Sequence, residues 1–76
     1  MPDMNRAQHM AWAKQRALEA MENGTPEAGL DSLISDMSKH PETDNPFRLQ
    51  FAREEGERVL QTESAQLMRA FIEGFR

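Results

Sequence analysis

Cysteine is absent from the 76 residues, and this excludes disulfide staples, thiolate zinc sites and cysteine nucleophiles together. Long apolar runs are absent as well: none approaches the ~20 residues needed to cross a bilayer. The opening Met1-Pro2-Asp3-Met4-Asn5 lacks the basic and apolar regions of a signal peptide. These absences set the expectation of a soluble cytoplasmic protein without membrane contact. Glycine is scarce, and Gly24 and Gly29 stand isolated rather than in a phosphate-binding loop, so they suit a helix junction. Ser32, Ser35, Ser38 and Ser64 have no G-x-S-x-G elbow around them.

What is present bounds the protein further. A chain of this length is a single domain, residues 1–76. It buries only ~60% of the surface that its unfolded form exposes, so helix packing or self-association must supply stability. The hydrophobic fraction of 38% is low for a globular domain but too high for a disordered tail.

The formal charge of −4 is unevenly spread. Residues 1–18 carry Arg6, Lys14 and Arg16 against Asp3. Residues 19–45 carry Glu19, Glu22, Glu27, Asp31, Asp36, Glu42 and Asp44 against Lys39 alone. Beyond them arginines and glutamates balance. An acidic middle disfavours nucleic-acid binding, which depends on neutralising phosphates, and suits a partner with a basic surface.

Apolar residues recur at helical spacing and nowhere alternate like a strand. The first predicted helix covers about 6–22, capped by Asn5 with Gln8 completing a capping box, and Gly24 stops it. Its stripe is Ala7, Met10, Ala11, Ala17, Leu18 and Met21, interrupted by Lys14 and broadened by Trp12 and Ala13. The second begins at Thr25-Pro26, carries Leu30, Leu33, Ile34 and Met37, and ends near Lys39 before Pro41. Residues 40–45 form a polar turn. Asn45-Pro46 opens a third helix reaching about Leu60, with Phe47 and Phe51 facing inward and Leu49 and Ala52 beside them. Gly56 weakens it by ~1 kcal/mol relative to alanine. Thr62 caps a fourth helix with the stripe Leu67, Met68, Phe71, Ile72 and Phe75. The expected fold is all-α: a compact bundle of four short helices, or three if the last two merge.

No constellation supports catalysis, a metal or a cofactor. His9 and His40 are far apart in sequence and belong to no metal-ligand spacing. His40 is expected to cap the second helix or pair with Asp36 four residues earlier, and His9 to lie on the surface. Glu27 with Asp31, Glu54 with Arg58 and Arg69 with Glu73 read as solvated helix-face pairs rather than a catalytic cleft. Arg6, His9 and Arg16 beside Trp12 make only a weak nucleic-acid footprint, and Arg16 is expected to pair with Glu19. Trp12 serves either as a partly buried anchor or as a binding hot spot. The sharper candidate is acidic: Asp31, Asp36, Glu42 and Asp44, with His40 as a neighbour, form an array able to occupy a basic groove. Its plain alternative is a solvated face that aids solubility.

Three segments carry a resemblance. They are Ala11-Trp12-x-Lys14-x-Arg16-Ala17-Leu18-Glu19, Ser35-Asp36-Met37-x-Lys39-His40-Pro41-Glu42-Thr43, and Phe71-Ile72-Glu73-Gly74-Phe75, with x any residue. They resemble small helical accessory proteins of tailed bacteriophages, especially those of actinobacteria, over about residues 5–45 and the last six. The region 53–58 departs from that pattern by its charge. The resemblance implies a phage or prophage accessory protein. It brings no catalytic residues and no established partner.

Two functional expectations follow. The first is a non-enzymatic protein that binds a host protein through the acidic surface, for instance an anti-CRISPR-like inhibitor of a defence or nucleic-acid-handling complex. The second is a structural or assembly protein that self-associates through Phe47, Phe51, Phe71 and Phe75. A nucleic-acid binder using Arg6, His9, Trp12 and Arg16 comes third.

Overall fold

The computed structural model describes residues 5–75. The signal-peptide reading of residues 1–4 therefore lies outside the described residues, as does the charge on Asp3. Four helices follow in order: α1 (Arg6–Asn23), α2 (Pro26–Met37), α3 (Pro46–Gln61) and α4 (Ala65–Gly74). No strand occurs among the described residues. The protein is a small all-α bundle in which α3 and α4 are separate helices.

Helix starts follow local chemistry. Asn5 Oδ1 accepts from Gln8 N–H at 2.8 Å and Gln8 Oε1 accepts from Asn5 N–H at 3.1 Å, a complete capping box. Thr25 Oγ1 caps α2 by accepting from Ala28 N–H, ahead of Pro26. Asn45 Oδ1 caps α3 by accepting from Phe47 N–H at 2.9 Å, ahead of Pro46. The fourth cap differs from expectation. Thr62 closes α3, its hydroxyl donating to the Val59 carbonyl, while Ser64 caps α4 by accepting from Leu67 N–H. Between them Glu63 takes a positive φ of 58°, which turns the chain from one helix into the next.

Helix α2 ends at Met37, two residues earlier than expected. The buried Thr43 hydroxyl donates to the Met37 carbonyl at 2.6 Å, so the following turn folds back onto an unsatisfied helix end. The turn thus contains an anchor, not only polar surface.

α1 and α2 run antiparallel: His9 near one end meets Asp36, and Met21 near the other meets Gly29. A Cβ on Gly29 would overlap Met21 Cγ and sit 3.0 Å from the Ala17 carbonyl, so glycine sets how closely the two helices approach. The core gathers Leu30, Leu33 and Met37 from α2 with Met68 and Ile72 from α4, all fully buried. On α1 the buried residues are His9, Met10, Ala13, Ala17 and Met21, whereas Ala7 and Ala11 face solvent. Lys14, the polar interruption of the expected stripe, donates to the Glu73 carbonyl at 3.0 Å and ties α1 to the end of α4.

Helix α3 turns a different face to the core than its phenylalanines suggest. Its buried residues are Ala52 and Gly56. A Cβ on Gly56 would overlap both Cδ atoms of Leu30. The helix lies close to α2 through small residues, and Phe47 (83% exposed) and Phe51 (55%) are left outside. Leu67, expected on the inward stripe of α4, is also exposed.

Surface pairs partly follow sequence spacing. Arg69 reaches Glu73 at 3.9 Å as expected and Glu22 at 3.1 Å. Arg58 approaches Glu55 at 4.0 Å rather than Glu54, which accepts from Gln50 instead. Asp31 pairs with Arg53 across the α2–α3 gap at 3.0 Å. Exposed pairs of this kind contribute about 0–1 kcal/mol each.

Candidate functional site

The acidic candidates do not form one array. Asp36 is 1% exposed. It occupies the same inward side of α2 as Leu33 and Met37, and its carboxylate is held by Arg16 Nε at 2.7 Å and Lys39 Nζ at 3.0 Å. This overturns its assignment to an exposed contact surface, and the expected Arg16–Glu19 and Asp36–His40 pairings give way to Arg16–Asp36–Lys39. The reason is that a buried carboxylate must be paired, and α1 presents Arg16 at the right height. Asp31 is exposed and bound to Arg53. Glu42 and Asp44 are exposed in the α2–α3 turn, on either side of the buried Thr43.

Trp12, His40 and Asp36 do come together, around a histidine expected at the surface. His9 is 3% exposed, and its Nε2–H donates to the Asp36 carbonyl at 2.6 Å. Its ring lies 5.3 Å from that of Trp12 and 4.9 Å from that of His40. Arg16 completes the cluster, its Cζ 4.9 Å from the Trp12 ring centroid. His40 Nδ1 accepts from Glu42 N–H at 3.0 Å, which shapes the turn. The basic strip of Arg6, His9 and Arg16 is therefore dismantled: His9 is interior and Arg16 is engaged.

This cluster is a fastening between α1, α2 and the turn. Asp36 alone receives contacts from His9, Arg16 and Lys39, through its carbonyl and carboxylate. Among the described residues no group of three or more His, Asp or Glu side chains is placed to hold a metal ion.

The second constellation is a groove of about 550 Å³ between α3 and α4. Phe47 and Phe51 line it from α3, and Phe71 and Phe75 from α4 and its end. The Phe51 and Phe75 ring centroids are 6.3 Å apart, and those of Phe71 and Phe75 5.7 Å. Arg48 and Glu55 also line the groove from α3. Arg48 places its Cζ 5.5 Å from the Phe75 ring. Its Nε and Nη2 are shielded from solvent and have no hydrogen-bond partner among the described residues. Loss of hydration, and then the charge of Arg6, pull this guanidinium down from its ordinary pKa. An unsatisfied buried donor costs about 1–3 kcal/mol.

The four phenylalanines were legible as an apolar set, but Arg48 was not singled out. A signal existed: Ala52 and Gly56 share one face of α3 at i, i+4, whereas Phe47, Phe51 and Glu55 share another. Two competing faces on one helix cannot both point inward.

Among the described residues no helix is long and apolar enough to cross a membrane. Comparison with protein-family models, curated proteins and solved structures finds no match to this chain.

Proposed function

We propose that the protein is a non-catalytic binding module whose contact surface is the aromatic groove between α3 and α4. One observation carries this reading: Phe47 and Phe51 are 83% and 55% exposed along a groove that Arg48, with two donors unsatisfied among the described residues, also lines. Isolated exposed apolar residues are ordinary, but a contiguous aromatic patch with an unsatisfied polar group marks an interaction surface. A short chain has little apolar surface to spare, and here two of its four phenylalanines stay largely outside.

The test compares the tagged protein with a Phe47→Ser/Phe51→Ser variant in a nuclease-treated bacterial lysate. Circular dichroism of both establishes equal helicity. Stoichiometric association, with its own copies or with another protein, that disappears in the variant supports the groove. Association that survives in the variant moves the contact elsewhere, and a parallel Glu42→Lys/Asp44→Lys variant then examines the remaining exposed acids of the α2–α3 turn. In the phage-accessory version of this reading, the bound protein belongs to the host cell.

A further inference from the structure

We infer that the occupant of the groove is a second copy of this chain, paired antiparallel along α3 about Phe51. This deepens the groove reading and rests on it.

The argument begins with the order of residues around Phe51. Arg48 stands three residues before it and Glu55 four residues after it, and both line the groove. At a rise of about 1.5 Å per residue they lie roughly 4.5 and 6 Å to either side along the helix axis. The charge order about Phe51 on the groove side of α3 is therefore plus, phenylalanine, minus. Reversing that order places each of these charges opposite its complement. Antiparallel copies set Arg48 against Glu55, twice, whereas a parallel pairing in register sets like against like.

A two-fold axis requires such self-complementarity, because each patch must recognise itself. The groove also supplies the need. Among the described residues the Nε and Nη2 of Arg48 have no hydrogen-bond partner, and the side chain lines the groove beside the Phe75 ring. The Glu55 carboxylate is only loosely engaged, with Arg58 at 4.0 Å. Pairing about Phe51 covers both exposed phenylalanines of α3 and sets a carboxylate beside each Arg48.

The experiment is sedimentation equilibrium of the full chain over the micromolar range, with reciprocal charge reversals. The wild type is expected at twice its chain mass. Arg48→Glu and Glu55→Arg should each weaken the dimer at least about tenfold, since each creates two like-charge contacts. Mixing the two single variants should restore a dimer, because the heterodimer regains opposite charges at both contacts. The double variant Arg48→Glu/Glu55→Arg should restore a homodimer for the same reason. Recovery on mixing shows that the single variants are folded.

A wild type that stays monomeric throughout the range overturns the inference, and so does a dimer indifferent to both reversals. The groove reading fails separately. If the wild type is monomeric but Phe47→Ser/Phe51→Ser abolishes capture of a different protein, the groove stands and the second copy falls. If a dimer forms and is unchanged by Phe47→Ser/Phe51→Ser, both fall.

Discussion

His9 donates its Nε2–H to the backbone carbonyl of Asp36 across 2.6 Å, at a carbonyl that also accepts the Lys39 N–H. The same aspartate holds Arg16 and Lys39 through its carboxylate. One residue therefore joins α1, the end of α2 and the first turn beyond it. Of the acidic residues that sequence spacing marks as a surface for partners, Asp36 is consumed in holding the bundle together, whereas Asp31, Glu42 and Asp44 stay exposed.

Asp36→Ala should destabilise the protein by about 2 kcal/mol in urea titration. Removing one member of a fully buried pair costs roughly 3–5 kcal/mol. Here the Arg16 and Lys39 side chains remain 51% and 55% exposed, so both can return to water. A loss under about 0.5 kcal/mol, the range of ordinary surface substitutions, would contradict a fastening role.

Gly56→Ala should destabilise, opposite in sign to its effect on an isolated helix. Helix propensity alone predicts a gain of about 1 kcal/mol. The added Cβ meets the Cγ and Cδ atoms of the fully buried Leu30, and overpacking costs about 1–3 kcal/mol. Combining it with Leu30→Val should recover part of the loss relative to the sum of the single effects. A stabilised Gly56→Ala protein would show that α3 does not lie this close to α2.

Glu63→Gly should raise stability by about 0.5–1 kcal/mol. The residue holds a left-handed φ of 58°, where a side chain is strained and glycine is not. Thermal unfolding of the two proteins measures it; an unchanged or lowered midpoint would remove the strain argument.

Phe47→Ser should leave stability within about 0.5 kcal/mol of wild type when measured at concentrations where the chain is monomeric. Its ring is 83% exposed. A loss of several kcal/mol under those conditions, as for a core phenylalanine, would restore the inward orientation that the sequence suggests.

Much of the scaffold was readable from the chain. Asn5 with Gln8, Thr25 with Pro26, and Asn45 with Pro46 mark three helix starts, and all three act as caps. The fourth start was misplaced because Thr62 and Ser64 are both competent caps, and choosing between them requires knowing where α3 runs out. The candidate site was less readable. Phe71 and Phe75 line the groove as apolar residues at helical spacing, but Arg48 reads as one more charge on a charged helix.

The sequence by itself determined the class of fold and most of the helix boundaries, because caps and prolines act on backbone groups within three or four residues. It also excluded cysteine chemistry outright. Only the tertiary structure decided which way each helix faces. Leu30 against Gly56 turns Phe47 and Phe51 outward, and Arg16 across from Asp36 draws an apparent surface acid into the interior. Both outcomes depend on the size and charge of residues 20 or more positions away, where helical periodicity carries no information.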